Sequence, residues 1–169
     1  MPRDKITVGL ATFGHGFTLP EAAEETGLYC PSVGGTPAGP YTQQSGFLEF
    51  FEIMQALNND TLPWMSGATP HAWTKVVDGC ILAPYIYNGP YWIGYDDVDS
   101  VSIKAKWINY MGLGGAMVWS IEADDFSGVY GSKYPLVSVI KNIMMIGEVL
   151  EPEYILGEDD ECVSAPACF

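Results

Sequence analysis

Carboxylates are the most abundant groups in this 169-residue chain that could do chemistry. Twenty-one Asp+Glu stand against seven Lys+Arg and two His, a formal net charge of −14. Paired acids can divide the work of a general acid and a general base. The tightest clusters are Asp96-Asp97-x-Asp99 and Asp124-Asp125. Asp96-Asp97 stands just before a helix-like stretch and reads as capping and interdomain bracing, not catalysis. Four cysteines, at 30, 80, 162 and 168, admit three disulfide pairings. Asn59-Asp60-Thr61 is an N-glycosylation acceptor sequence. Residues 148–161 carry seven acids and no Lys or Arg, a solvated acidic tail. Carboxylate oxygens suit calcium, but the spacing of an EF-hand loop is absent, so no metal ligand is assigned and no cofactor is expected.

The elements that must position these groups are legible in outline. With 48% hydrophobic and 13% aromatic residues, the chain has the apolar content for a real core. No apolar run reaches the roughly 18 residues of a membrane span, and there is no basic stripe for nucleic acid. The acidic surface favours a neutral or cationic ligand. No signal-peptide pattern precedes the first strand-like run, which fits a piece of something longer.

Ile6–Leu10 reads as a buried strand, continued by an extended segment to Leu19, and residues 20–45 are rich in Gly and Pro. Apolar residues at 47, 48, 50, 51, 54 and 57 predict a short amphipathic helix over 46–57. Residues 72–95 read as antiparallel hairpins, with turn signals at Asp78-Gly79 and Asn88-Gly89-Pro90. A helix capped by Asp99 or Ser100 runs to about Met111, with Val101, Ala105, Ile108 and Trp107 inside. Residues 116–121 predict a fully buried strand, and Tyr134-Pro135 opens a last helix that Gly147 ends. Without the antiparallel excursion the order is βαβα, the repeat of a parallel α/β protein. Cys30 and Cys80 share the excursion and Cys162 and Cys168 the tail, so those are the expected pairs.

Several blocks together resemble glycoside hydrolase family 18, in particular the C-terminal part of its chitinases and chitinase-like lectins. They are K-I-T-V-G-L-A-T-F-G-H-G-F-T-L (5–19), G-G-T-P-A-G-P-Y-T (34–42), G-F-L-E-F-F-E-I (46–53), Y-W-I-G-Y-D-D-V-D-S (91–100), G-L-G-G-A-M-V-W-S-I-E-A-D-D-F (112–126) and Y-P-L (134–136). The resemblance implies α/β architecture: the C-terminal portion of a (β/α)8 barrel, strands seven and eight, with an α+β insertion domain. The partial barrel would be 1–19 and 96–147, the insertion 20–95, and the acidic Cys-containing tail 148–169.

The resemblance also shows what this sequence lacks. The family's catalytic Asp-x-x-Asp-x-Asp-x-Glu motif occurs nowhere in it, so no catalytic residue is assigned and the chain alone is expected to be inactive. By resemblance Trp119 is the aromatic floor under a sugar ring, its indole face suited to the apolar face of a pyranose. Met117, two residues earlier on the same strand face, is a cleft-wall residue. Phe13-Gly14-His15 stands where the family usually has Tyr-Gly-Arg, and Gln44 where many members have an acid. Phe13 has no hydroxyl and His15 is shorter than Arg, so sugar recognition is expected to be weakened or altered. Phe47, Trp64, Trp73 and Tyr41 are candidates for an extended groove, while Trp92 and Trp107 are expected in the core. The expected partner is chitin or a related N-acetylglucosamine polymer, with another chain or self-assembly completing the barrel. Secretion is the expected localisation. The alternatives are a structural or matrix protein reusing the scaffold, or a piece of an active chitinase whose catalytic half lies elsewhere.

Overall fold

A computed structural model describes residues 1–20, 28, 30–58, 62–69, 73–79 and 81–150. Asn59, Cys80, Cys162, Cys168 and the tail beyond Leu150 lie outside the described residues. Cys30 is disulfide-bonded. The chain forms two compact units. One contains Met1–Thr12 and the described residues from Asp96 onward; the other contains those of Phe13–Tyr95.

In the first unit, β1 (Thr7–Ala11) pairs in parallel with a strand formed by Gly115–Trp119. Leu10 faces Val118 across the pair, and Ala11 faces Trp119. Two helices contact the second strand, one over Val98–Tyr110 and one over Pro135–Ile146. Val101, Ala105 and Ile108 of the first and Leu136, Ile140 and Ile143 of the second are buried. Their 3–4-residue spacing forms one apolar stripe per helix.

The first of these helices begins two or three residues earlier than the sequence predicts. Its cap is Asp97, whose carboxylate accepts from the Ser100 N–H at 2.9 Å while the Ser100 hydroxyl accepts from the Asp97 N–H at 2.9 Å. Four candidate caps stand within five residues, and Asp96 is already engaged by Lys104 at 2.6 Å, which leaves Asp97 for the helix. Trp107, expected inside, is 39% exposed. The last helix starts at Pro135 and ends on Gly147, at φ +75°, the left-handed position that favours glycine.

The strand expected to be fully buried is not. Met117 and Trp119 are exposed, and the strand's other residues, Gly115, Ala116 and Val118, are only half-buried. With two strands and helices on one side, the other side of the sheet has no covering layer among the described residues of this unit.

The second unit is a six-stranded antiparallel sheet: β2 (Phe13–Thr18), β3 (Gly34–Gly35), β4 (Phe47–Glu49), β5 (Thr74–Asp78), β6 (Ala83–Asn88) and β7 (Tyr91–Gly94). Its path is β3-β2-β7-β6-β5, with β4 also on β2. We number the Gly115–Trp119 strand β8, the Val98–Tyr110 helix α2 and the Pro135–Ile146 helix α3; α1 is Phe50–Asn58. Residues 13–18, expected with the barrel strand before them, instead pair with β3, β4 and β7 of this sheet. Residues 47–49, expected as the start of a helix, form β4 against β2, and the helix proper begins at Phe50.

Glycines let β2 sit close to its neighbours. A Cβ on Gly14 would lie 2.7 Å from the Gly94 carbonyl oxygen and from Ile53 Cδ1, and one on Gly16 2.4 Å from Thr36 Oγ1. On this side of the sheet Leu48, Ile86 and Ile93 are fully buried, and α1 contributes Ile53.

Candidate functional site

In the first unit the open side of the sheet carries Met117 and Trp119. They are 47% and 67% exposed. Their cross-strand partners are Gly9 and Ala11, so nothing bulky opposite them on β1 covers either side chain. Met117 lies across Gly9, where a Cβ would stand 3.2 Å from its Cε. Trp119 is the last residue of β8, and the peptide that follows it is cis. Buried Thr12 holds this strand end, donating its N–H to the Trp119 carbonyl at 3.2 Å and its hydroxyl to the Ser120 carbonyl. The result is an uncovered indole face at a strand terminus, on a fixed backbone.

Past Trp119 the paired acids serve the scaffold. Asp124, fully buried, accepts from the Asp125 and Val137 N–H groups, both at 2.9 Å, and so caps the first turn of α3. Burial pushes its carboxyl above the ordinary range, although the Val137, Asp125 and Leu136 N–H groups pull the other way. Asp125, 1% exposed, accepts from the Ser127 hydroxyl and from the Gly128, Val129 and Tyr130 N–H groups. Burial pushes this carboxyl up too, but the donors, led by the Tyr130 N–H, outweigh it, and the net displacement is downward. Asp96, with its two oxygens 2.6 and 2.7 Å from Lys104 Nζ, is likewise committed to α2.

In the second unit β2 and β4 bring Phe13, His15 and Phe47 together. The ring centroids are 4.6 Å apart for Phe13–Phe47, 5.5 Å for Phe13–His15 and 5.9 Å for His15–Phe47. His15 and Phe47 are cross-strand partners, and residues 13 and 15 share a strand face. His15 is exposed, and its Nδ1 lies 3.3 Å from the Gly46 carbonyl oxygen. Gln44, exposed, sits in the turn ahead of β4, where its carbonyl accepts the Phe47 N–H at 3.3 Å. Three sequence-identified side chains of this unit therefore meet, and Gln44 joins them through its backbone carbonyl.

The other aromatics divide. Tyr41 is exposed and edge-on to Phe51, centroids 5.1 Å apart, while Trp64 and Trp73 are half-buried. Trp92, expected in the core, is half-buried and stacks on Tyr85 at 5.2 Å. Sequence reasoning missed Glu52, a fully buried carboxylate in this unit. Its signal was available: an acid among Phe50, Phe51, Ile53 and Met54 on an apolar helix. Among the described residues no three His, Cys, Asp or Glu side chains converge as a metal site would need, and no helix is long and apolar enough to cross a membrane.

Comparison with known proteins places this geometry. The model of the family described as glycosyl hydrolases family 18 matches residues 1–124. The chain is 40% identical over 143 residues to Chitinase-3-like protein 2 from Homo sapiens, covering 83% of this chain and 33% of that one. It is 38% identical over 146 residues to an Endochitinase from Manduca sexta, covering 85% and 25%. Among solved structures, Ostrinia furnacalis Group IV chitinase in complex with allosamidin superposes with a TM-score of 0.74 at 30% identity, covering 88% of this chain and 37% of that one. Human YKL-39, described as a pseudo-chitinase with retained chitooligosaccharide binding properties, superposes at 0.68 with 41% identity, covering 84% and 35%. The chain thus spans between a quarter and just over a third of the length of these proteins.

Proposed function

This chain belongs to glycosyl hydrolase family 18, as a C-terminal portion of its (β/α)8 barrel with an α+β insertion, and from that premise we propose that it binds N-acetylglucosamine oligomers without cleaving them. The observation that carries the reading is the uncovered Trp119 indole at the end of β8, with only Ala11 opposite it on β1. A pyranose ring offers a flat face of C–H groups to such an indole and polar edges to neighbouring donors. Met117 would line the same face. Phe13, His15, Phe47 and Gln44 form a second candidate surface in the insertion, where Phe13 brings stacking area and no hydroxyl. A pseudo-chitinase that keeps chitooligosaccharide binding is the precedent for binding without hydrolysis. The missing Asp-x-x-Asp-x-Asp-x-Glu motif accounts for the proposed lack of cleavage, since a general acid and an acid that orients the acetamide are what the motif would supply, and among the described residues the adjacent acids Asp124 and Asp125 are taken up by donors of the scaffold.

The decisive variant is Trp119→Ala, compared with wild type by calorimetry against N-acetylglucosamine tetramer. Because the ring is exposed, stability should move by no more than about 0.5 kcal/mol. Affinity should fall about tenfold or more, as for an aromatic anchor. Equal affinity in the two proteins would remove Trp119 from the reading; no binding by wild type would end it.

A second reading has its own support. The chain spans only part of its relatives' length, and β1 and β8 pair only with each other among the described residues. Further strands supplied by another segment or a partner would complete the barrel and could bring the catalytic acids. Peptides carrying the acid motif, found in an unreduced peptide map of the native protein, would establish that arrangement. Secretion, glycosylation at Asn59, the Cys30–Cys80 and Cys162–Cys168 bridges, and the division into partial barrel, insertion and acidic tail belong to the same proposal.

A further inference from the structure

Glu52 is the least expected group in the insertion: a carboxylate with no exposed surface, inside an apolar helix. It touches no solvent, so it cannot meet a ligand. What it does hold is the chain on either side of the Phe13–His15–Phe47 cluster. Oε1 accepts from the N–H groups of Tyr41 at 3.0 Å and Thr42 at 3.3 Å. Oε2 accepts from the Glu49 N–H at 3.1 Å and the Thr42 hydroxyl at 2.9 Å. That hydroxyl also lies 3.1 Å from the Phe47 carbonyl oxygen, so its single proton is shared between Glu52 and the backbone of the aromatic residue.

Gly39 completes the pocket around the carboxylate. A Cβ there would stand 2.3 Å from Oε1. The loop therefore closes on the acid as backbone against carboxylate, with no room for a side chain between them. Gln43 in the same loop adopts φ +50°, a left-handed turn that brings Gln44 around to accept the Phe47 N–H. One buried carboxylate thus ties the loop at 41–42, the strand residue Glu49 and, through Thr42, the peptide of Phe47.

We propose that Glu52 is a positioning residue: it sets where Phe47 stands against Phe13 and His15, and where Gln44 stands beside them. A side chain with two acceptor oxygens suits the task, because all four groups turned to it can donate. The Glu52→Gln side chain has the same shape but turns two donors of its own toward donors. The proposal rests on the binding reading above for its affinity arm alone, since the ring geometry can be measured without ligand.

The test uses the full chain, labelled for nuclear magnetic resonance, as wild type, Glu52→Gln, Thr42→Val, Thr42→Ser and Ile53→Val. The last alters a neighbouring buried side chain of the same helix without touching the carboxylate. Ring-to-ring Overhauser contacts between Phe13 and Phe47, and the His15 ring shifts, report the cluster. Calorimetry with N-acetylglucosamine tetramer reports binding. Glu52→Gln and Thr42→Val should lose or displace the ring contacts and weaken binding about tenfold, as a loosened supporting shell does. Thr42→Ser should keep both, and Ile53→Val should lower the unfolding temperature while leaving the rings in place. Unmoved rings in folded Glu52→Gln overturn the proposal; if that variant does not fold, unmoved rings in Thr42→Val do so. Wild type that shows the ring contacts but no tetramer binding defeats the binding reading and leaves the positioning claim to the ring contacts.

Discussion

At the residue scale, the acids do opposite things according to what surrounds them. Asp124 and Asp125 are adjacent and both buried, yet one carboxyl is displaced upward and the other downward. Burial decides first and donor supply second: Asp124 lies deeper, so the loss of water outweighs its three N–H donors, while Asp125 loses less water and accepts from three backbone N–H groups and a hydroxyl. Linkage fixes the sign of each effect. Asp125 adds stability that is fully present above the ordinary aspartate value and is lost as pH falls through its lowered one. The favourable term from Asp124 is present below the ordinary value and is lost as pH rises through its raised one. Replacing Asp125 by Asn should cost about 1–3 kcal/mol near neutral pH, the penalty for a buried donor left without its acceptor. It should also flatten the fall in stability below about pH 4. Urea midpoints across that range measure both. An unchanged acid limb would mean that Asp125 is not what the protein loses when it is acidified.

At the element scale, local pattern named most elements and misplaced those whose ends depend on partners. The apolar period over 46–57 suits a helix, but Gly46 at φ +73° turns the chain so that Phe47–Glu49 meets β2. Pairing with a strand more than thirty residues earlier outweighed the local preference of three residues. Strand β2 shows the same dependence. Its alternation of Phe13, His15 and Phe17 with Gly14 and Gly16 puts rings on one face and bare backbone on the other. Gly14→Ala should destabilise the insertion sheet by about 1–3 kcal/mol, because its Cβ meets a carbonyl oxygen that cannot rotate away. Hydrogen exchange should quicken at the β2–β7 amides and much less in α2 and α3. Uniform acceleration would show that the two units unfold together.

At the scale of the whole molecule, the parallel pair β1–β8 is the weak point. Both strands have an unpaired edge among the described residues, and Ile6, Met117, Trp119, Ile121 and Phe126 are exposed. Open edges beside exposed apolar surface favour pairing with another chain, and a net charge of −14 opposes indiscriminate association. Sedimentation velocity on the purified chain should therefore show self-association, or a complex with whatever chain completes the barrel. A stable monomer alone at micromolar concentration would refute this expectation.

The sequence by itself determined what nearest neighbours along the chain decide. That covers the order strand, antiparallel excursion, helix, strand, helix, the Pro135 start and Gly147 stop of α3, and the motif blocks of the family. It also put Trp119 in the C-terminal half of a strand, although the strand stops at Trp119 and not at Ile121. Tertiary structure decided what long-range pairing and burial control. Residues 13–18 joined the insertion sheet because β7 and β4 lie there to receive them. Residues 117 and 119 came out exposed because no layer among the described residues of the first unit covers their face. Glu52 became a structural centre because a loop ten residues before it turned its N–H groups inward. A hydrogen-bond partner far away in sequence leaves no periodic trace, so no pattern read along the chain could have supplied it.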